Sequence, residues 1–306
     1  MTTQINPMLA MSAPPNPRLF ERDGMSWEPK WDGYRLIVEL RKARPALLWA
    51  RSGKPLDLPH LAEQLSGHDV DAILDGEVIV NGADGRPSFN AMQLRLGMSK
   101  ERALGTMRYM VFDVLRVNEV PVTDEPYVTR RHMLGRVVEL IGSPMVQLTP
   151  ATDNGVALWH AMELANMEGM IGKPVGSKYL PGERGTWIKV KRTIISDFIV
   201  VGWIKGIGKR AGEIGSLVLA EEAAGHLTFA GLVGTGFNWK NLETTMAALV
   251  PNGRDDCPLA DAASARRSLG AVEVLWVNPT HKATVEYSEQ MKGALRFPSF
   301  QKMEAI

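Results

Sequence analysis

Short apolar runs of strand length alternate with longer amphipathic segments in the first two thirds of the chain. Runs rich in β-branched and aromatic residues predict strands at 35–40, 46–50, 72–80 and 108–115, the third expected to be interrupted by Asp75-Gly76-Glu77. Apolar residues at helical spacing predict helices at 61–65, 130–141 and 156–167. Four prolines among residues 1–26 favour extended backbone, so this segment is expected to be a lead-in without a helix.

A different pattern begins near residue 193, where short strands are separated by glycine-containing turns. It predicts strands at 197–203, 215–221, 226–233, 272–277 and 283–287, a helix at 238–249 and a polar loop at 252–267. Five short strands with one helix suit a small Greek-key barrel such as the OB-fold, although an SH3-like barrel would give much the same pattern. The sequence therefore predicts an α+β protein of two domains, residues 1–193 and 194–306.

Composition narrows the class of protein. An apolar fraction of 45% over 306 residues is that of a globular protein with a sizeable core. The single cysteine, Cys257, excludes an internal disulfide and a cysteine-rich zinc site. Neither an export leader nor a run of about 18 apolar residues is found, so we expect a soluble cytoplasmic protein without membrane contact, monomeric by default.

The charges are balanced overall but unevenly distributed. A net charge of +1 does not by itself indicate a nucleic-acid-binding protein. Lysines and arginines are nevertheless grouped at 41–44, 189–192 and 205–210. Each group alone is most simply a solvated surface, whereas together they suit a surface that follows a phosphate backbone.

One lysine lies between two carboxylates in the run Glu28-Pro-Lys30-Trp-Asp32-Gly33-Tyr-Arg35. Lysine is a nucleophile only when its amine is neutral, which costs roughly 4 kcal/mol at neutral pH for an ordinary lysine. The chain has no G-x-x-x-x-G-K-[ST] loop, no G-x-S-x-G turn and no metal-binding group of Cys and His. A nucleotide would therefore be bound without a P-loop, and the plain alternative for this run is a charged turn between strands.

The remaining polar positions are those that attack of a lysine on phosphorus requires. Glu77 and Glu168 are candidate ligands for a divalent metal, and alternation in a strand places Lys189 and Lys191 on one face. Phe112 offers an aromatic face to a purine base. Taken singly, the phenylalanine is more simply a core residue, and the glutamates are capping or turn residues.

The order of these segments resembles the motifs of covalent nucleotidyltransferases, specifically ATP-dependent DNA ligases. The segments that carry the resemblance are Lys30-Trp-Asp32-Gly33-Tyr-Arg35, Arg51-Ser52-Gly53, Asp75-Gly76-Glu77, Phe112-Asp113, Glu168-Gly169-Met-Ile-Gly-Lys173 and Trp187-Ile-Lys189-Val-Lys191. Residues 197–206, 215–217, 233–237 and 295–300 are similar to the OB domain of bacterial end-joining-type ligases. The resemblance covers nearly the whole chain and implies an adenylation domain of mixed antiparallel sheets with flanking helices, followed by an OB-fold barrel.

The resemblance also implies a role for each position. Lys30 would attack ATP and carry AMP, with Asp32, Lys189 and Lys191 as further catalytic residues. Glu28 would contact the adenine amino group, and Phe112 would stack on the adenine. Arg35 and Arg51 would contact the ribose and phosphates, including those of DNA. The triphosphate would be bound by Lys173, Lys189 and Lys191, and Glu77 would also belong to the nucleotide site. Glu77 and Glu168 would bind Mg²⁺, with Mn²⁺ as an alternative.

The implied activity is the sealing of nicks in double-stranded DNA through a lysyl-AMP and a DNA-adenylate. A DNA end-binding or replication protein is a candidate partner, and a bacterial or phage-infected cell is the expected setting. The segment after residue 300 lacks the arginine and Asp-Lys pair usual in the family, with Lys302 as a candidate substitute, and only a lead-in precedes the first domain. The first departure leaves the efficiency of self-adenylation open. From the second we expect weak, salt-sensitive nick binding.

Two other functions fit the same residues. One is an RNA ligase or capping-type nucleotidyltransferase, which would share the lysine chemistry but differ in its nucleic acid or its nucleotide. The other is a nick-binding protein that no longer self-adenylates.

Overall fold

The computed structural model describes residues 5–81, 85, 107–291 and 293–306, with the backbone alone at Lys209, Ser264 and Met291. The chain divides into two compact units, Met1–Arg192 and Thr193–Ile306. Among the described residues, no helix is both long enough and apolar enough to span a lipid bilayer.

The first unit mixes strands and helices. In chain order its described elements are β1 Leu9–Ala13, α1 Pro17–Phe20, β2 Met25–Pro29, β3 Tyr34–Leu40, β4 Leu47–Ala50, α2 Pro59–Leu65, β5 Ala72–Val80, β6 Met107–Val117, β7 Val120–Pro121, α3 Tyr127–Ile141, β8 Val146–Leu148, α4 Gly155–Leu164, β9 Gly169–Pro174 and β10 Arg184–Lys191.

These strands form two sheets within the described part of the first unit. The smaller sheet has the order β1-β10-β9-β2, and the larger has the order β4-β3-β5-β6-β7 with β8 beside β6. Pairing is antiparallel except between β1 and β10 and between β6 and β8. The expected mixture of largely antiparallel sheets with flanking helices is confirmed.

Alternation along the central strands of the larger sheet divides its side chains between two cores. On one face, the buried leucines and valines of β3 and β5 pack with α2 and α3. On the other face, Ile37 packs in a cluster with Trp187 of the smaller sheet. Because side chains along a strand alternate between faces, Arg35 shares the face of Ile37, and its cross-strand partner Glu77 lies beside it. The polar residues of the larger sheet therefore point towards the smaller sheet.

Two predictions for the first unit are wrong, and one predicted helix is longer than the helix observed. The lead-in predicted at 1–26 is wrong for the described residues 5–26, because β1 pairs with β10 and Pro17 begins the short helix α1, where a missing N–H is tolerated. Strand β5 is not interrupted at Asp75-Gly76-Glu77, which produces only a shift of register against β6. The helix predicted at 156–167 also ends early, at Leu164.

The second unit is built around one long strand. Its described elements are β11 Ile194–Lys205, β12 Ile214–Ala223, β13 His226–Val233, α5 Trp239–Leu249, α6 Ala262–Leu269, β14 Leu275–Trp276, β15 His281–Tyr287, β16 Glu289–Met291, β17 Ala294–Arg296 and β18 Ser299–Ala305, with short 3₁₀ turns at Gly208–Arg210 and Val250–Asn252. Strand β11 pairs with β12, β14 and β15 in a sheet of order β13-β12-β11-β15-β18.

The barrel pattern of the second unit is largely as predicted, with three differences. The segment predicted as a polar loop at 252–267 contains the start of α6, and the strand predicted at 272–277 shortens to Leu275–Trp276. The fifth long strand is instead β18, which the sequence pattern did not predict. A core with Phe198, Val285 and Phe300 closes against Leu242 and Leu249 of α5.

A fully buried ion pair ties α3 to the larger sheet. The side chains of Arg130 and Asp113 are both 0% exposed. Arg130 Nε and Nη2 donate to the two carboxylate oxygens of Asp113 at 2.8 and 2.9 Å. Its Nη1 donates to the backbone oxygens of Glu125 and Ser177 at 2.6 and 2.8 Å. One guanidinium thus fixes a strand, a helix start and a loop.

We expect Arg130→Met to lower the free energy of unfolding by about 3–5 kcal/mol, because it leaves the Asp113 carboxylate buried without its partner. Lys178→Met is the control, since Lys178 pairs with Asp124 at 2.9 Å on the surface, and its loss should change stability by at most about 1 kcal/mol. Urea denaturation measures both. Equal losses in the two variants would contradict the assignment.

Candidate active site

Both sheets of the first unit contribute to one cleft of about 650 Å³, a volume typical of small-molecule sites. The predicted site residues that line it are Glu28, Lys30, Arg35, Arg51, Glu77, Phe112, Lys173, Lys189 and Lys191. Glu168 contacts two of these lysines, whereas Asp32 is not part of the lining. The structure thus gathers residues that are up to about 160 positions apart in the sequence, and the catalytic role expected for Asp32 stays a prediction.

Glu168 joins two lysines of the predicted chemistry. Its Oε2 accepts a hydrogen bond from Lys30 Nζ, and its Oε1 lies 2.9 Å from Lys191 Nζ. The backbone N–H of Lys30 donates to the oxygen of Gly169 at 2.9 Å, and Gly169 pairs with Lys191 across β9 and β10. Backbone hydrogen bonds therefore place both lysines beside this carboxylate.

Two glycines allow the backbone to approach neighbouring strands closely beside Lys30 and Glu168. A Cβ at Gly33 would lie 2.1 Å from the carbonyl oxygen of Val78, and a Cβ at Gly169 would lie 2.1 Å from that of Val190. Gly169 also has a φ of 141°, which residues with a side chain rarely adopt. The glycines that follow Lys30 and Glu168 are therefore requirements of the geometry.

Arg35 is oriented by a buried carboxylate. Its Nε and Nη2 donate to the two oxygens of Asp75 at 3.0 and 2.7 Å, and the hydroxyl of Tyr179 donates to the same carboxylate at 2.6 Å. Asp75 is 0% exposed, so the guanidinium of Arg35 has a buried partner that fixes its position. The side chain of Arg35 also lines the cleft.

Cations dominate one part of the cleft lining. Arg51, Arg184 and Lys189 lie there together with Lys30 and Lys191. Partial burial lowers the pKa of the Lys189 ammonium below its ordinary value, and repulsion by the four other cations acts in the same direction. Such a concentration of positive charge suits a polyphosphate.

Aromatic rings enclose a second part of the lining. Glu28 and Lys173 form an ion pair at 2.8 Å with side chains only 2% and 1% exposed. Lys173 Nζ lies 4.2 Å from the ring centre of Trp187, 4.8 Å from that of Phe112 and 4.9 Å from that of Tyr127. Because Lys173 is already paired with Glu28, its expected contact with the triphosphate stays a prediction, as does stacking of adenine on Phe112.

The three groups of lysines and arginines found in the sequence lie in different surroundings. The group at 189–192 contributes to the cleft. In the group at 41–44, Arg41 pairs with Glu39 at 2.8 Å, and in the group at 205–210, Lys205 pairs with Glu273 at 3.6 Å. The positive charge of the latter two groups is therefore partly matched by carboxylates of the same unit.

Comparison with known proteins assigns this arrangement to a family. A model described as ATP dependent DNA ligase domain matches residues 7–191, and a model described as ATP dependent DNA ligase C terminal region matches residues 210–305. The chain belongs to the ATP-dependent DNA ligases.

Relatives within the ligase family come from several bacteria. The multifunctional non-homologous end joining DNA repair protein LigD of Mycobacterium tuberculosis is 32% identical over 282 residues, which cover 90% of this chain and 35% of the relative. LigD of Pseudomonas aeruginosa is 31% identical over 282 residues, covering 90% of this chain and 32% of the relative. DNA ligase C2 of Mycolicibacterium smegmatis is 31% identical over 242 residues, covering 75% and 66%. The chain spans about a third of the length of the LigD proteins.

Solved ligase structures share the fold. That of mycobacterial DNA ligase D complexed with ATP and MES covers 98% of this chain and 95% of its own, with a TM-score of 0.56 and 29% identity. A Lig E DNA ligase covers 97% and 99% with a TM-score of 0.65, and at 19% identity it supports the fold alone. The predicted class, an adenylation domain followed by an OB-fold, is confirmed.

The carboxylates of the cleft fit a divalent metal of this ligase family. Burial raises the pKa of Glu77 to about 8, with the Glu168 carboxylate acting in the same direction and Lys30 and Arg35 opposing it. Two carboxylates close enough to repel each other are relieved by a shared cation, and Mg²⁺ is commonly held by one or two carboxylates together with substrate phosphates. Across the described residues there is no group of three or more His, Cys, Asp or Glu able to hold a metal.

Sequence reasoning missed four residues of this ligase site. Arg184, at the start of β10, lines the cleft, and Asp75 orients Arg35. Tyr127 and Arg131 of α3 both contact the Glu28 carboxylate. Asp75 lies inside the Asp75-Gly76-Glu77 motif, which is a signal that could have identified it, whereas the two α3 residues carry no sequence signal beyond their helix.

Gly33→Ala should reduce self-adenylation at least about tenfold, because the added Cβ would force β3 and β5 apart at the site and misplace Lys30 relative to Glu77. Gly176→Ala is the matched control, since its Cβ would meet nothing within 4 Å. Both are measured as initial rates of AMP transfer to the protein. An unaffected Gly33→Ala rate would show that the close approach to Val78 is dispensable.

Stability should depend on the protonation of Glu77. Its folded-state pKa of about 8 lies above the ordinary value of 4.5, so between these values the folded protein keeps a proton that the unfolded chain has lost. Stability contributed by this group is therefore full below pH 4.5 and falls as pH rises towards 8, by at most about 1.4 kcal/mol per unit. Glu77→Gln should flatten the fall in unfolding free energy between about pH 5.5 and 8 in metal-free buffer. An unchanged slope would contradict the raised pKa.

Proposed function

We propose that this chain is a catalytic ligase unit that seals nicks in double-stranded DNA with ATP, through an AMP group carried on Lys30. The observation that supports it most directly is the contact of Lys30 Nζ with Glu168, at the edge of a cleft whose lining is rich in cations. A nucleophilic amine, a proton acceptor and a polyphosphate-binding surface are the parts that transfer of a nucleotide to lysine requires.

The first step is attack of the neutral Lys30 amine on the α-phosphorus of ATP. A nitrogen–phosphorus bond forms while the bond from the α-phosphorus to the oxygen bridging to the β-phosphate breaks, and pyrophosphate leaves. Glu168 Oε2, which accepts a hydrogen bond from Nζ, is placed to receive the proton that the amine loses. Arg51, Arg184 and Lys189 supply positive charge for the departing pyrophosphate.

A divalent cation bound by Glu77 and Glu168 would supply further neutralisation of phosphate charge. The contribution of this chain is to keep the two carboxylates near each other and near Lys30. The buried Asp75 and Tyr179 hold Arg35 beside the same site, where it is available to a ribose or a phosphate.

The second and third steps act on DNA. An oxygen of the 5′-phosphate at a nick attacks the phosphorus of the AMP group, and the nitrogen–phosphorus bond breaks. Lys30 leaves as the amine, taking up a proton that Glu168 is placed to return. The 3′-hydroxyl then attacks the phosphorus of the 5′-phosphate, which forms the phosphodiester bond and releases AMP. Names of relatives that refer to non-homologous end joining support a role for the unit at broken DNA ends. We further propose that it works as a monomer, with a DNA end-binding or replication protein as a candidate partner.

The test of the first step is AMP transfer to the protein, using ATP labelled at the α-phosphate with Mg²⁺ and a denaturing gel. Lys30→Ala should retain less than about 1% of the label, because the amine that attacks ATP is removed. Lys178→Ala, which alters an exposed lysine elsewhere in the same unit, should label within about twofold of the parent chain. Full labelling of Lys30→Ala would refute the assignment of the nucleophile.

The nucleic acid is tested by chasing the labelled protein with nicked substrates. Transfer to nicked double-stranded DNA and not to nicked RNA supports a DNA ligase, and the reverse indicates an RNA ligase. Labelling by GTP in preference to ATP would indicate a capping-type enzyme. Binding of nicked DNA with neither labelling nor sealing of a pre-adenylated nick would leave a binding protein.

A further inference from the structure

Tyr127 is a buried tyrosine on α3, outside all the motifs on which the family resemblance rests. Its hydroxyl donates to Oε1 of Glu28, and its side chain is only 1% exposed. Arg131, one turn later on the same helix, approaches the same oxygen at 3.3 Å and donates to the backbone oxygen of Thr149 at 2.8 Å. Helix α3 contributes no residue to the cleft lining, but two of its side chains donate hydrogen bonds to Glu28, which does line the cleft.

We propose that Tyr127 is a positioning residue that fixes the Glu28 carboxylate as a hydrogen-bond acceptor for the amino group of the purine, and so sets the preference for adenine. The inference rests on the proposed function, because it needs ATP bound in the cleft. It adds that the base of ATP lies at the aromatic part of the lining, next to Glu28.

The first support is the count of hydrogen-bond sites on Glu28. A carboxylate offers about four acceptor sites. Oε1 is used by Tyr127 and Arg131, and Oε2 by Lys173 at 2.8 Å. Among these contacts, one acceptor site on Oε2 is left. Because Glu28 is only 2% exposed, water cannot easily reach this site, and a ligand atom placed there must be a hydrogen-bond donor to bind well.

The second support is the difference between the two common purines. Adenine presents an amino group, a donor, at position 6, whereas guanine presents a carbonyl oxygen, an acceptor. The Glu28 carboxylate has acceptor sites only, so it would repel the carbonyl oxygen of guanine. The three groups that donate to it keep it from turning away. Discrimination of this kind, with a buried polar group that the wrong ligand leaves unpaired, is the strong form of ligand specificity.

The third support is that the tyrosine hydroxyl is a permanent donor. Burial, and after it the negative charge of Glu28, raise the pKa of Tyr127 above its ordinary value. The hydroxyl therefore keeps the proton with which it donates to Glu28. The ring centre of Tyr127 lies 4.9 Å from Lys173 Nζ, and phenylalanine retains this ring. The variant Tyr127→Phe therefore removes the hydroxyl alone.

The experiment compares ATP with purine riboside triphosphate, which differs from ATP only in lacking the 6-amino group. The initial rate of self-adenylation is measured for the full chain over a range of each nucleotide. The parent chain should need at least about tenfold less ATP than analogue for half-maximal rate. In Tyr127→Phe the requirement for ATP should rise about tenfold while that for the analogue changes less than about threefold, with maximal rates little altered.

The control variant is Tyr109→Phe, which removes a buried hydroxyl of the same unit that donates to the backbone oxygen of Leu36 at 3.0 Å. It should leave the ratio of ATP to analogue unchanged. Thermal melting checks that each variant is folded. If Tyr127→Phe does not fold, Arg131→Gln takes its place and should lower the same ratio by a smaller factor, because its contact with Glu28 is longer.

Three results would overturn the inference: a parent chain that does not distinguish ATP from the analogue, a Tyr127→Phe variant that keeps the parent ratio, or one that loses ATP and analogue use equally. The last result would show a purely structural role. A parent chain that is not labelled by ATP at all would instead refute the proposed function, so the two failures are distinguishable.

Discussion

The position of the Glu168 carboxylate is the constraint on which the site depends. It contacts Lys30 and Lys191, and it immediately precedes Gly169, whose backbone oxygen receives the N–H of Lys30. A carboxylate in this position holds the Lys30 amine in place by accepting a hydrogen bond from it. In the mechanism that we propose, Arg35, Glu77 and the cationic part of the lining serve transfer of AMP because Lys30 is held at this point.

Strand alternation explains how one sheet supports both stability and chemistry. One face of β3 and β5 is filled by aliphatic side chains under α2 and α3, while the opposite face carries Ile37 in the core and Arg35 at the cleft. A shift of one residue in register would exchange these faces. Buried ion pairs, Arg130 with Asp113 and Lys173 with Glu28, then fix the helices and loops around the cleft, where an unpaired charge would be costly.

Much of this arrangement can be predicted from the sequence, for identifiable physical reasons. Strands such as β3 and β13 have strong alternation or β-rich runs, and the order of the motifs alone groups Lys30 with Glu77. What escapes prediction depends on contacts between distant residues. Strand β1 is recognised only by its pairing with β10, and Tyr127 acquires its meaning only when α3 packs beside Glu28. A glycine in β5 suggests a break because propensity is local, whereas the ring of Tyr109 fills the space that a side chain at Gly76 would need.

Lys30 is the proposed single attachment point of AMP, and mapping that attachment is the most direct test of this proposal. The full chain would be incubated with ATP and Mg²⁺, digested with a protease and analysed by fragment-ion mass spectrometry. We expect one AMP group per chain, on the peptide that contains Lys30 and assigned by fragmentation to that residue. AMP on Lys189, Lys191 or Lys173 in its place would contradict the central role of the Lys30–Glu168 contact.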